Sequence, residues 1–354
     1  ALVLGIIAAL ILQILPFLLP LFNVPESLIP KASLFLHSIS LGMPAVTMYA
    51  ALRGYSEAIG YPRPVTAISL IALVLLIPLN FIFMYGIGPI PHLGSAGCGF
   101  ATAILQWLMF FALALYILKA KRYQKTQPFA VWEKINPVLI KRIIHLGLPI
   151  GLAIFFEVSI FSTGAIILSP LGDITVAAHQ IAISVTSQLF MIPMSLAIAL
   201  TIRTGMYYGE KNWPAMIKVQ KVGLIVGTGF AFITMLLMWL FRHQIVAVYT
   251  NDFGVTHVAV YLILFAIAYQ LMDAWQVSAA GCLRGMQDTK GPMWITMLAY
   301  WIIAFPVGIY LARYTDMGAA GVWMGLIVGL SIACVLLITR LYMNNKRLRL
   351  HNGL

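Results

Sequence analysis

The sequence predicts an all-α membrane protein built from two related helical bundles. Two observations carry the first part of that statement. The 354 residues are 62% hydrophobic and 9% charged, against about 25% charged in a soluble domain, and the mean hydropathy is +0.96. The apolar residues fall into runs at about 1–22, 31–57, 63–87, 94–119, 141–168, 174–205, 214–241, 255–284, 292–314 and 318–343. Each suits the roughly 20 residues a helix needs to cross a bilayer. None shows the short alternating segments of a membrane barrel. An internal repeat carries the second part. Leu52-Arg53-Gly54 with Gly60 recurs as Leu283-Arg284-Gly285 with Gly291, at a constant offset of 231 residues. Each copy is followed by a Pro (Pro62, Pro292), then an apolar run with an inner Pro (Pro78, Pro306). A loop opening Gly94-Ser95-Ala96-Gly97 or Gly318-Ala319-Ala320-Gly321 comes next. Six spans separate the copies, so both turns lie on one side of the membrane. The repeats are therefore parallel, related by an axis along the membrane normal.

Run 1–22 begins at Ala1 within apolar sequence, with neither a Met nor a charged leader. The second copy holds six spans and the first shows four. The expectation is a six-plus-six protein lacking its first two helices, four plus six here, with the bundles around a central cleft. Run 31–57 carries Gly42-Met43-Pro44, for which packing is explanation enough. Runs 63–87 and 94–119 complete the first copy. The basic stretch 119–142 holds two prolines and reads as a cytoplasmic connection. It divides the chain into 1–122, a linker at 123–140, and 141–354. With that linker inside, alternation leaves only Lys31, Arg242 and Arg313 of the 22 Lys and Arg outside, as the positive-inside rule requires. The C-terminus is then cytoplasmic. The net charge of +12 reads as topogenic and as attraction to anionic lipid, not as a nucleic-acid surface.

In the second copy, run 141–168 opens Gly147-Leu148-Pro149-Ile150-Gly151 and holds Glu157, about 12 Å beyond the proline. Phe155, Phe156 and Phe161 flank it, and Gly164 permits close helix approach. Run 174–205 carries Gln180, Ser184, Ser187, Gln188, Met191 and Ser195 at helical spacing, and a kinking Pro193. A polar stripe in lipid must face protein or water. Interhelical hydrogen bonding and a cavity lining both account for it. His179, near the outer end of this run, reads as structural. Run 255–284 places Tyr269, Asp273, Gln276 and Ala280 on one helical face. Runs 292–314 and 318–343 close the chain. Pro44, Pro78, Pro149, Pro193 and Pro306 suit helices that bend during transport, and equally the ordinary tolerance of Pro in membrane helices.

Of the ten acidic residues, Glu26, Glu57, Glu133, Asp173, Glu210, Asp252, Asp288 and Asp316 fall in or beside expected loops. Glu157 and Asp273 alone lie deep within spans. A charge at the bilayer centre costs about 2.5–3.5 kcal/mol on insertion scales, and such residues usually handle ions or protons. The alternative is a hydrogen bond to a neighbouring helix. A phenol, a carboxylate and an amide on the Tyr269 face suit a hard cation or a proton. Protonated, Glu157 is a proton carrier; ionised, it is a cation ligand. Na+ at Glu157 and Asp273 is one expectation, a proton the other, and no further cofactor is implied. Cys98, Cys282 and Cys334 lack metal-ligand spacing and read as small packing residues. No P-loop, His-Glu-x-x-His or Gly-x-Ser-x-Gly motif occurs, which excludes those enzyme classes.

Several segments together resemble the multidrug and toxic compound extrusion family, in its bacterial NorM-type branch. They are Leu-Gly-Leu-Pro-Ile-Gly at 146–151 with Glu157, Ala-Ala-His-Gln at 177–180, Met-Ile-Pro at 191–193, Gln-Leu-Met-Asp-Ala at 270–274 and the doubled Leu-Arg-Gly. The resemblance implies two bundles, alternating access, and export of cationic or amphipathic drugs in exchange for Na+ or H+ across the bacterial inner membrane. It implies a cation site of Glu157, Asp273 and Tyr269, and the family's acidic residue on the first helix has no counterpart here. Phe155, Phe156, Gln188, Met191, Met272, Trp275 and Gln276 are the cleft-lining candidates, offering adaptable apolar and cation–π surface. Core packing explains them equally. The expected partners are organic cations and the bilayer, with no obligate protein partner. A lipid-linked oligosaccharide flippase is the alternative. Its cleft would carry Arg and Lys for a pyrophosphate, and no Lys or Arg is mid-span. A channel would repeat a filter segment, and none is present.

Overall fold

Long apolar runs become long helices because a helix satisfies its own backbone polar groups, which lipid cannot. The computed structural model describes residues 1–22, 29–86, 92–124 and 136–351, and among them there is no β-strand. The chain divides into two units, Ala1–Ile135 and Asn136–Leu354. Of the expected linker, residues 125–135 lie outside the described residues.

The first unit contains α1 (Leu2–Ile14, continued by a 3-10 turn), α2 (Ile29–Ser40), α3 (Met43–Ala58), α4 (Arg63–Tyr85) and α5 (Ser95–Lys119). The second contains α6 (Pro137–Leu168), α7 (Asp173–Gly209), α8 (Trp213–Ala247), α9 (Phe253–Gly285) and α10 (Lys290–Met297). A π-helical stretch (Leu298–Ala304) then leads to α11 (Phe305–Tyr314) and α12 (Ala319–His351). Side-chain caps begin α6, α8 and α9. Asn136 accepts from the amides of Val138 and Leu139 at the start of α6, and Asp252 accepts from Val255 at the start of α9. Each satisfies donors that a helix start leaves unpaired.

Among the described residues, nine helices are long and apolar enough to cross a membrane. The expected run 31–57 is not one of them. It is broken into α2 and α3, bent by 40°. Gly42 lies at the break against α5, where a Cβ would come within 2.8 Å of the Ala103 Cα. Pro44 follows in the first turn of α3, a position that tolerates its missing N–H. Outward faces stay apolar: Ile77, Ile166 and Ile225 are 72%, 72% and 71% exposed. That exposure suits lipid and would be costly in water.

Helix α9 organises the second unit, packing against α7, α8 and α12. Its buried Leu262, Ile263 and Ala266 join Tyr300 and Trp323 in the core. At its C-terminal end, α9 meets α7 backbone to backbone. The Thr201 hydroxyl donates to the Gly281 carbonyl at 2.9 Å, and a Cβ on Gly281 would lie 2.5 Å from the Ala197 carbonyl oxygen. Small residues permit this approach, as is common between membrane helices.

The sequence repeat is visible in local structure. Gly94 and Gly318, which precede α5 and α12, take φ of 57° and 51°, the left-handed region that glycine enters without strain. The copies part at the Leu-Arg-Gly turn. Helix α3 runs on to Ala58, so Arg53 and Glu57 share a helical face and pair at 2.7 Å. Helix α9 stops at Gly285, and Asp288, the counterpart of Glu57, leaves the helical path. Arg340 of α12 takes it at 2.6 Å and 2.9 Å, and Asn344 donates to it at 2.9 Å.

Burial pushes the Asp288 carboxyl up, but the hydrogen bonds from Arg340, Asn344 and the Gly291 amide outweigh it and hold the group below its ordinary value. Its stabilising contribution is therefore complete above the ordinary carboxylate pKa of about 3.9, and is lost as pH falls through the native value. Asp288→Asn is expected to melt below the wild type at neutral pH, with the gap closing in acid below about pH 4. Thermal unfolding in detergent across pH reads this directly, and coincident melts at neutral pH would count against the Asp288–Arg340 contact.

Candidate functional site

Three helices bring the polar residues of the second unit together. Helix α6, with Pro149 inside it, carries Glu157. Helix α7 carries Gln180, Thr186, Ser187 and Met191. Helix α9 carries Tyr269, Asp273, Gln276 and Arg284. Between them lies a cavity of about 410 Å³, lined by Glu157, Asp273, Tyr269 and Arg284 among polar groups and by Phe161, Phe190, Met191 and Met194 among apolar ones. Asp273 and Tyr269 are almost wholly withdrawn from the outer surface, at 5% and 2% exposure.

Each member is held differently. The Gln276 amide donates to Glu157 Oε1 at 3.4 Å, joining α9 to α6. The Tyr269 ring stacks on Trp323 at 5.9 Å between centroids, and the Trp323 indole N–H donates to His179 Nδ1 at 3.2 Å. His179 thus reaches the site through Trp323 and Tyr269. The Asp273 carboxylate has no ion pair or hydrogen-bond partner among the described residues, and its charge acts on that of Glu157. Two carboxylates and a phenol put an all-oxygen donor set on one cavity. The described residues contain no group of three His, Cys, Asp or Glu. Such a set suits a hard monovalent cation or a proton in preference to a transition metal.

This cavity occurs in a chain whose residues 1–82 and 149–310 match the MatE family model. The chain belongs to the MatE family. It is 75% identical over 345 residues to the probable multidrug resistance protein NorM of Acinetobacter baylyi, covering 98% of this chain and 77% of that protein. It is 40% identical over 351 residues to the multidrug resistance protein NorM of Photobacterium profundum, covering 95% and 76%. The fold matches the crystal structure of the eukaryotic MATE transporter AtDTX14 with a TM-score of 0.87 at 19% identity, over 99% of this chain and 78% of the other. MatE proteins are transporters, not enzymes.

The MatE cavity receives some of the residues expected from sequence and not others. Glu157, Asp273, Tyr269 and Met191 line it, and Gln276 reaches it through Glu157. Phe155 is 61% exposed and packs edge-on against Phe156; neither lines the cavity. Gln188 is exposed on α7 and Met272 is half-buried on α9, both away from the lining. The Trp275 indole donates to Thr228 Oγ1 of α8 at 2.7 Å, which turns its ring aside.

Only part of the polar stripe of α7 lines the cavity, and the serines beside it bond within their own helix. Gln180, Ser187 and Met191 line the cavity, whereas the Ser184 and Ser195 hydroxyls bond back to the carbonyls of Gln180 and Met191. Sequence reasoning passed over Phe161, Phe190, Met194 and Thr186 as lining residues, because apolar and isolated Thr positions in a span carry no facing signal. It also passed over Arg284. No Lys or Arg is mid-span by position, yet this side chain lines the cavity from the end of α9. The repeat pointed the other way, since it aligns Arg284 and Asp288 with Arg53 and Glu57, which pair with each other.

Proposed function

We propose that this chain is the ion-coupled core of a multidrug efflux antiporter, exporting cationic or amphipathic organic compounds in exchange for Na+ or H+. The observation that carries it is the meeting of Glu157 and Asp273 on one cavity with Tyr269. The names of the 75% and 40% identical relatives support the multidrug assignment. In this reading the two halves, 1–122 and 141–354 joined by a linker at 123–140, are lobes in the inner membrane of a bacterium, with the C-terminus in the cytoplasm. An ion at Glu157 and Asp273 favours one arrangement of the lobes and an organic cation favours the other. Exchange follows because each ligand shifts the population only through its differential affinity for the two states. Phe161, Phe190, Met191 and Met194 give substrates of varied shape an adaptable apolar wall, and the rings offer cation–π contact.

A flippase for an anionic lipid-linked sugar finds one supporting observation, the presence of Arg284 in the cavity. Two carboxylates against one guanidinium favour cationic cargo. The test is efflux of a fluorescent organic cation from drug-sensitive cells expressing the gene that encodes this chain, with and without external Na+. Export above the empty-vector rate is expected, and its Na+ dependence names the coupling ion. Retention of the dye at the empty-vector level, with protein present in the membrane, would overturn the proposal.

A further inference from the structure

The two Leu-Arg-Gly turns offer an internal comparison. In the first, Arg53 is neutralised by Glu57, four residues on and on the same helical face. In the second, the residue four on from Arg284 is Asp288, but α9 ends at Gly285 and Gln287 turns the chain with φ of 62°. Asp288 is then taken by Arg340 from α12. Gly291 makes room for this, since a Cβ there would collide with the Arg340 guanidinium. Arg284 is left with no ion pair or side-chain hydrogen bond among the described residues.

Its side chain lines the cavity. Helical side chains lean toward the N-terminus of their own helix, which for Arg284 is toward Gln276 and Asp273. It lines the same cavity as Glu157, and its charge acts on the Glu157 carboxylate. A cavity with two carboxylates and no ion would carry an uncompensated charge in a poorly solvated place, which is costly. A mobile guanidinium at its edge removes part of that cost whenever the ion is absent.

We propose that Arg284 is a tethered cation that competes with the transported ion for Glu157, and that the Asp288–Arg340 pair keeps it free to do so. The proposal rests on the reading of Glu157 and Asp273 as the ion site. When the ion leaves, Arg284 moves toward Glu157; when the ion arrives, Arg284 withdraws. The site thus holds its ion weakly enough to release it, and release does not leave Glu157 unpaired.

The test is the rate at which dicyclohexylcarbodiimide, which attacks protonated carboxyls, labels Glu157 in the purified full chain. The adduct is read by peptide mass spectrometry at fixed pH, over a range of Na+. A unit charge within roughly 10 Å at an effective dielectric near 20 shifts an equilibrium by about tenfold. Arg284→Gln is expected to speed labelling by about that factor, and Arg284→Lys to stay close to the wild type. Arg340→Ala frees the neighbouring Asp288 to attract Arg284 away from the cavity, so labelling rises as in Arg284→Gln. Adding Asp288→Asn to Arg340→Ala removes the captor and returns the rate toward the wild type.

An unchanged rate in Arg284→Gln overturns the proposal. Should that variant not fold, the Arg340→Ala and Asp288→Asn pair gives the same reading without touching Arg284, and failure of the second change to reverse the first overturns it equally. Loss of the ion site itself looks different. Wild-type labelling would then be indifferent to Na+ and Glu157→Gln would transport normally, whereas failure of the Arg284 proposal alone leaves the transport defect of Glu157→Gln in place.

Discussion

Replacing Glu157 with Gln is expected to reduce drug export to the rate of cells without the protein, while the amount of protein in the membrane stays unchanged. The substitution keeps the shape of the side chain and an oxygen for the Gln276 amide, which donates at 3.4 Å. It removes only the charge and the ability to take up a proton. If the ion is Na+, the site loses half its formal charge in a cavity where charge interactions are stronger than in water. If it is H+, the carrier group is gone. Asp273→Asn is expected to behave alike, and the double variant to be no worse than either single, because residues that act as one unit do not add. Phe155→Ala serves as the control: that ring is 61% exposed and outside the cavity, so export should persist. Dye efflux with quantified membrane protein settles the matter. Wild-type export by both carboxylate variants would make the pair structural.

The second large effect is on stability. Gly281→Val is expected to cost about 3 kcal/mol, at the upper end for overpacking, and to lower the melting temperature by roughly 10 °C. The added Cβ would lie 2.5 Å from the Ala197 carbonyl oxygen and 3.1 Å from its Cα. Those are backbone atoms, so no side chain can swing aside and α7 must separate from α9. The hydrogen bond from Thr201 to the Gly281 carbonyl would be lost with it. The cavity lies between these helices, so ion and drug binding should fail together. Gly229→Ala on α8 is the matched control, because nothing lies within 4 Å of its added carbon. A Gly281→Val protein that melts with the wild type in detergent would show that the helices part at little cost.

How much of this was readable beforehand differs from residue to residue. Glu157 and Asp273 stood out because a carboxylate inside an apolar run is expensive wherever that run packs. Gln276 and Tyr269 followed from their spacing to Asp273 on one helical face. Trp275 did not follow. Its neighbour on the chain faces Glu157, but the indole found Thr228 on α8, and nothing local announces which adjacent helix will supply a partner. Phe155 and Phe156 were drawn in by closeness in sequence to Glu157, yet a helix turns by about 100° per residue and carries immediate neighbours away. The bend between α2 and α3 was invisible as a break, since Gly42 and Pro44 are tolerated in continuous membrane helices as well.

The sequence by itself determined that the chain is a set of long apolar helices, the doubled motif and the two carboxylates that lie within them. The helices and the carboxylates are set by costs that accumulate residue by residue along the chain: transfer of apolar groups and insertion of charge. Only the tertiary structure decided which faces meet. It brought Glu157 and Asp273 to one cavity, ended α9 at Gly285 so that Asp288 paired with Arg340 and left Arg284 facing inward, and turned Trp275 away. The rotation of a helix about its axis costs little in uniform lipid, so it is chosen by the shape and hydrogen bonding of the neighbouring helices, which no single segment contains.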